Sequence, residues 1–88
     1  MKPIRRHKQF EKHFGQRITP NQKLLTQFEK RLTLFLADAR GYPLNDHALT
    51  GRLAGKRAFS VANDIRVIYE NTPEAYLFID IGSHNQVY

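Results

Sequence analysis

The first half of the chain carries its apolar side chains at helical spacing. Phe10 and Phe14 lie one turn apart, which predicts a short helix over about residues 7–15. A longer helix is predicted to follow, with Thr19 as its N-cap, and to end at about Ala39. The apolar stripe of this second helix consists of Leu24, Phe28, Leu32, Phe35 and Ala39.

In the second half the apolar period changes to two, which predicts strands over 56–62, 65–70 and 75–82. The connections are short, so we expect an antiparallel meander, to which residues 1–5 could add an edge strand. The predicted fold is a single α+β domain over residues 1–88. Two N-terminal helices pack on one face of a small, mainly antiparallel sheet of three to four strands.

Strict alternation assigns the side chains of the strands to two faces. The face toward the helices is predicted to carry Leu77, Ile79 and Ile81, beside Ile65, Val67, Tyr69, Phe59 and Val61. The opposite face is predicted to carry Lys56, Ala58, Ser60, Arg66, Ile68, Phe78, Asp80 and, by continued alternation, His84. One face is therefore core, and the other is a mixed surface with cations and a histidine.

Charge is the first indication of function. The chain of 88 residues has a net charge of +6, and residues 1–40 alone carry ten basic and three acidic side chains. A basic domain favours phosphate backbones or an acidic protein as a partner, although solubility alone is the simpler explanation. The absence of cysteine excludes a disulfide scaffold, a thiolate zinc site and a cysteine nucleophile. No apolar segment is long enough for a membrane span or a signal peptide, and we expect a cytoplasmic protein.

Three motifs place polar groups at strand or loop ends, beside apolar anchors. They are Asp46–Gly51 (DHALTG), Asp64–Tyr69 (DIRVIY) and Ile81–Tyr88 (IGSHNQVY). In this order and spacing they resemble the RelE/ParE toxin superfamily of bacterial type II toxin–antitoxin pairs, and within it the YafQ-like ribonuclease branch. The likeness extends over about residues 20–88.

The resemblance implies an mRNA interferase, an endoribonuclease that cuts messenger RNA on the ribosome without metal or other cofactor. The 2′-hydroxyl attacks the adjacent phosphate, a step that needs a base, an acid and a cation. The resemblance implies that these catalytic roles fall to His47, Asp64, Arg66, His84 and Tyr88. The histidines titrate near neutrality, and the guanidinium matches phosphate oxygens in two-point fashion. The expected partners are mRNA, the ribosome and an acidic antitoxin.

Ser60 departs from the family pattern. Members of this branch commonly have a basic residue or histidine at this position of the first strand, on the cleft side. Serine can donate a hydrogen bond to a phosphate but carries no charge. Lys56 and Arg57 are therefore predicted, with Ser60, to bind substrate, although Arg57 would need a bulge to reach the cleft because alternation places it on the core side.

Other functions compete with this prediction. A ParE-like toxin has the same fold but inhibits DNA gyrase by binding it, and the pair His47 and His84 argues against that alternative. A plain basic nucleic-acid-binding module lacks support because no RNP-like or zinc motif is present. Each candidate also has a simple structural explanation: Asp64 suits a turn, and Arg66 could pair with Glu70.

Overall fold

In the computed structural model, which describes residues 2–88, a five-stranded mixed sheet is covered on one face by two helices. The elements in chain order are β1 (Ile4–Arg6), α1 (Lys8–Arg17), α2 (Gln22–Leu36), β2 (His47–Ala48), a 3₁₀ turn (Gly51–Leu53), β3 (Arg57–Ala62), β4 (Ile65–Asn71), β5 (Tyr76–Ser83) and α3 (His84–Val87). The strand order across the sheet is β1-β5-β4-β3-β2. All neighbouring strands are antiparallel except β1, which pairs with β5 in parallel.

The α+β class and the antiparallel β3–β4–β5 meander are confirmed, but the strand count is too low by at least one. The predicted edge strand exists as β1, and Met1 lies outside the described residues. The segment that forms β2 was predicted to be a loop, because two residues show no period. α3 was also missed, since strand alternation was extended through it.

The bounds of the two long helices differ from the predicted ones for local reasons. Asn21 and not Thr19 caps α2, because the Asn21 side chain accepts a hydrogen bond from the amide of Leu24 at 3.2 Å. The Thr19 hydroxyl instead donates to the carbonyl of Gly15 at 3.0 Å, so it belongs to the end of α1. At its other end α2 stops at Leu36, and Asp38 follows with a φ of 61°, which a helix does not accommodate.

A bulge in β5 changes which of its side chains reach the core. Ile68 pairs with Asp80 and Tyr69 pairs with Phe78, so Ile79 is an extra residue in the ladder. Phe78 and Ile81 are buried in the main core, whereas Leu77 and Ile79 are only partly buried and outside it. The predicted core row is therefore wrong at Leu77 and Ile79, and Phe78 was assigned to the wrong face.

The core between helices and sheet is rich in aromatic rings. Phe35 of α2 contacts the rings of Phe59, Tyr69 and Phe78, with centroids 4.9 to 5.6 Å apart. Phe10 of α1 packs against Phe78 with centroids 5.4 Å apart. Such ring pairs stabilise a core beyond their buried area, typically by about 0.5–1.5 kcal/mol each. The predicted sides of β3 and β4 are confirmed in this core.

Candidate active site

A cleft of about 310 Å³ opens on the face of the sheet opposite the long helices. We call it the open-face cleft. Its walls come from the segment of β2 and the 3₁₀ turn, from β4 and from α3, and consist of His47, Ala48, Leu49, Thr50, Leu53, Arg66, His84 and Tyr88. Four of the five residues predicted to be catalytic are therefore brought together here, although they are far apart in sequence.

Arg66 lies on β4, directly opposite Ser60 on β3 and Gly82 on β5. Cross-strand partners point to the same face, so these three positions form a row on the open face of the sheet, and Arg66 is the one that lines the cleft. Within residues 2–88 no carboxylate forms an ion pair with Arg66, and the predicted structural pairing with Glu70 is absent there. Its charge is consequently available to a ligand.

His47 is exposed, and its orientation is fixed by the backbone before it. Its Nδ1 lies 2.8 Å from the carbonyl oxygen of Asn45. A carbonyl oxygen only accepts, so Nδ1 carries a proton, and Nε2 is the acceptor in the neutral form of the ring. This is the arrangement that a general base requires.

The segment that carries His47 is anchored through the residue before it. The Asp46 side chain is 1% exposed, and its carboxylate accepts a hydrogen bond from Arg57 Nε at 2.8 Å. Arg40 lies 3.6 Å from the same carboxylate, and the Tyr69 hydroxyl donates to it. We refer to these four residues as the Asp46 cluster. It lies on the helix side of the sheet, where burial and the bond to Asp46 raise the pKa of Tyr69, and the bond to Asp46 raises the pKa of Arg57.

His84 and Tyr88 are held by α3, which begins in a capping box. The Ser83 side chain bonds to the backbone of Gln86, and the Gln86 side chain accepts from the Ser83 amide at 2.7 Å. The single turn brings the rings of His84 and Tyr88 into an edge-on contact with centroids 4.5 Å apart. His84 thus reaches the predicted face, although through a helical turn and not through continued strand alternation.

The hydroxyl of Tyr88 is buried at the cleft with no hydrogen-bond partner among the described residues. Burial raises the pKa of Tyr88, while the charge of Arg66 lowers it. A buried hydroxyl without a partner costs about 1–3 kcal/mol, and a ligand that hydrogen-bonds to it would recover that free energy.

The other predicted site residues do not line the cleft. Asp64 is exposed in the turn between β3 and β4, and Lys56 precedes β3. Ser60 is on the correct face beside Arg66 but outside the cleft lining. No bulge brings Arg57 round: it pairs with Tyr69 in the ladder and belongs to the Asp46 cluster. A substrate contact by Arg57 is therefore not supported by this geometry.

Two features were missed in the sequence. The apolar wall of the cleft comes from Leu49, which lies inside the DHALTG motif but was not predicted to line a site, and from Leu53, which carries no pattern that distinguishes it from an ordinary loop anchor. α3 did carry a signal, because Ser83 and Gln86 have the S-x-x-Q spacing of a capping box. Along residues 2–88 the structure holds no group of three or more histidine, aspartate or glutamate side chains suited to a metal ion. No helix in the same range is long and apolar enough to cross a membrane.

Solved structures of bacterial toxins have this fold. The toxin in the DinJ–YafQ complex from Escherichia coli is 23% identical, with 100% of this chain and 99% of that chain covered and a TM-score of 0.81. A metal-bound toxin from Helicobacter pylori has 22% identity, full coverage of both chains and a TM-score of 0.77. A chain of the YoeB–YefM complex from Staphylococcus aureus has 17% identity, coverage of 96% and 98%, and a TM-score of 0.70. At these identities the likeness shows the fold.

The sequence itself matches one family model over nearly its whole length, while no curated protein sequence matches it. The model describes a bacterial toxin of a type II toxin–antitoxin system and matches residues 2–88. This protein is therefore a toxin of the type II toxin–antitoxin class. It belongs to the YafQ family, and the resemblance drawn from its three motifs is confirmed.

Proposed function

We propose that this toxin is an endoribonuclease that cleaves mRNA on the ribosome by attack of the 2′-hydroxyl on the adjacent phosphate. One observation carries the proposal: two histidines, an arginine without an ion-pair partner among residues 2–88 and a tyrosine line a single cleft of about 310 Å³. Together they supply a base, an acid and a cation, which is the set that this reaction uses without a metal. Cytoplasmic action follows from the proposed substrate.

The roles follow from the surroundings of each group. Nε2 of His47 takes the proton of the 2′-hydroxyl, because Nδ1 is already bound to a carbonyl oxygen. The 2′-oxygen then bonds to phosphorus and the bond to the 5′-oxygen breaks, which leaves a 2′,3′-cyclic phosphate. Protonated His84 gives its proton to the departing 5′-oxygen. Arg66 binds the phosphate oxygens as negative charge develops, and the Tyr88 ring stacks on a base.

The remaining predicted residues have supporting roles in this proposal. Asp64 lies outside the cleft, in the turn before the strand that presents Arg66, and acts there as a turn residue. Ser60 and Lys56 flank the cleft and contact the RNA backbone beyond the cut site. Arg57 acts only through the Asp46 cluster, which is the change that the geometry makes to the expectation from sequence.

We also propose an acidic antitoxin as the partner. Residues 1–40 have a net charge of +7, and β1, α1 and α2 enclose an apolar groove of about 200 Å³ whose lining includes Phe14, Phe28 and Arg6. The similar DinJ–YafQ structure from Escherichia coli is a toxin–antitoxin complex. Charge complementarity of this kind accelerates association at low salt, so complex formation that is insensitive to ionic strength would contradict the proposal.

The nuclease proposal is tested by inducible expression in bacteria, followed by mapping of the 5′ ends of cellular messages. We expect cuts inside codons with the wild type and with the surface control Lys23→Ala. The double variant His47→Ala, His84→Ala should leave messages intact. Intact messages with stalled gyrase complexes in the wild type would contradict the proposal and favour the gyrase alternative.

A further inference from the structure

α1 lies along the edge of β5 that β1 leaves uncovered. β1 pairs only with Tyr76–Phe78, so the rest of β5 has no strand on that side among the described residues. Three side chains of α1, spaced one turn apart, take its place. Gln9 donates to Asp80 at 3.0 Å, His13 contacts the same carboxylate at 2.6 Å, and Arg17 Nη1 donates to the carbonyl oxygen of Ile81 at 2.8 Å. Arg17 thereby satisfies one backbone carbonyl of β5, while the Asp80 carboxylate held by Gln9 and His13 accepts from the backbone amide of Ile81 at 2.8 Å, so both groups of Ile81 are closed to strand pairing.

Arg17 extends furthest and reaches the position above Gly82. A Cβ built on Gly82 would lie 2.6 Å from Arg17 Nη1 and 2.7 Å from Gln86 Oε1. Any other residue at position 82 would displace these side-chain ends. The space that a side chain would fill at Gly82 is therefore occupied by the guanidinium of Arg17.

This space is on the same face as the open-face cleft. Gly82 is the direct partner of Arg66 in the antiparallel β4–β5 ladder. The Cβ positions of directly opposed residues point to one face and are separated by about 4.5–5.5 Å. The guanidinium of Arg17 consequently lies beside the base of the Arg66 side chain, although the two residues come from a helix and a strand far apart in sequence.

The charges of the two arginines are only partly compensated by carboxylates. Within residues 2–88 Arg66 has no ion-pair partner, and the only carboxylate near Arg17 is that of Asp80 at 3.8 Å. That carboxylate is shared with Gln9, with His13 and with the backbone amide of Ile81 at 2.8 Å. The Arg17 side chain is 22% exposed and has further N–H groups beyond the one bonded to Ile81. Adjacent arginines with spare donors match the oxygens of a phosphate backbone.

We propose that Arg17 is a second substrate-binding residue, which holds the RNA phosphate next to the one bound by Arg66. Arg17 reaches the cleft side of the sheet because Gly82 has no side chain in its way. Arg17 adds its positive charge on the β5 side of Arg66, opposite the side on which Ser60 lies. The inference rests on the proposed nuclease function and deepens it, since it names how the RNA backbone is held on the side of α1.

The test is the salt dependence of binding to a short RNA oligonucleotide with 2′-O-methyl groups, which lacks the attacking hydroxyl and stays uncut. Removal of one charged group that binds a phosphate makes the slope of log K against log salt shallower by about 0.7 for a single strand. We expect this change of about 0.7 for Arg17→Ala, and no change for Arg17→Lys because the charge remains.

The controls separate this inference from the function on which it rests. Lys23→Ala removes an exposed charge of α2 and should leave the slope unchanged. A merely structural role of Arg17 predicts lower melting temperatures for Arg17→Ala and Arg17→Lys with wild-type slopes for both, and this outcome would overturn the inference. If Arg66→Ala makes the slope shallower and Arg17→Ala does not, only the inference fails. If the wild type does not bind the RNA, the proposed function fails with it.

Discussion

Within residues 2–88, both faces of the sheet carry arginine and tyrosine side chains, but these are paired with a carboxylate on one face and not on the other. On the helix side, Arg40, Arg57 and Tyr69 converge on the carboxylate of Asp46, whose side chain is 1% exposed. On the open face, Arg66 stands in a cleft with two histidines and the hydroxyl of Tyr88, and no carboxylate pairs with it among the described residues.

This difference in pairing separates side chains that stabilise the fold from side chains that are candidates for ligand binding. In the Asp46 cluster each charged group has its partner, so its contribution is to stability and to the position of the neighbouring His47. In the open-face cleft the polar groups have few partners within the protein, which stabilises nothing by itself. Groups of that kind are informative because their partners are expected in a ligand.

The largest expected effect is on stability, from Asp46→Ala. It leaves two arginines and a buried tyrosine without their common acceptor, and removal of one partner of a buried ion pair costs about 3–5 kcal/mol. Urea unfolding gives the free energy directly. The matched control is Asp38→Asn: Asp38 is 86% exposed, lies 3.4 Å from Arg40, and tolerates asparagine at its positive φ. Exposed pairs contribute about 0–1 kcal/mol. Equal losses of unfolding free energy in both variants would therefore contradict a special role of the buried Asp46 carboxylate.

The second effect is on activity, from Arg66→Ala. Loss of one preorganised donor to the developing charge lowers the rate by about 10²–10³, equivalent to about 2.7–4 kcal/mol. Since Arg66 has no ion-pair partner among residues 2–88, the free energy of unfolding should change by no more than about 0.5 kcal/mol. Single-turnover cleavage and urea unfolding are measured on the same preparation. A variant that loses stability and activity together would show that Arg66 stabilises the fold, as the residues of the Asp46 cluster do.

The sequence predicted those parts of the fold that have a long period. Both helices and the three central strands follow from the spacing of residues such as Phe28 and Val67, because a buried stripe must repeat with its element. β2 and α3 are too short for a period. The bulge at Ile79 was hidden because Leu77, Ile79 and Ile81 alternate perfectly, so nothing local marks Phe78 as the core residue.

The candidate site was accessible through motifs and not through periodicity. His47, Arg66, His84 and Tyr88 come from three segments: alternation and the predicted meander placed Arg66 and His84 on one face, and the family resemblance supplied the grouping of all four and their roles. Their catalytic roles stay predictions. Arg17 could not be found in this way, because its place beside Gly82 follows from the path of α1 along the edge of β5.

A smaller effect concerns the pH dependence of the Asp46 cluster. Burial raises the pKa of Tyr69 above its ordinary value of about 10. In alkaline solution the unfolded chain therefore loses this proton first, and the folded state binds more protons. Stability is fully present below pH 10 or so and falls above it, by up to about 1.4 kcal/mol per pH unit for this group. Urea unfolding between neutral and alkaline pH should show a shallower fall in Tyr69→Phe, and identical slopes would contradict the assignment.

The smallest expected effect comes from the hydroxyl of Tyr88. Its removal should raise stability and lower activity, which distinguishes the two faces of the sheet in one variant. Tyr88→Phe removes a hydroxyl that is buried without a partner in the described residues, and keeps the ring against His84. Deletion of an unsatisfied polar group should stabilise the fold by up to about 1 kcal/mol. If the hydroxyl pairs with RNA, cleavage should nevertheless slow. Thermal unfolding and cleavage rates are compared with those of Tyr42→Phe, whose ring is 91% exposed and outside the cleft. A Tyr88→Phe protein that is less stable than wild type would show that the hydroxyl has a partner within the fold. Tyr88 would then contribute to stability, as the Asp46 cluster does, and not to ligand binding.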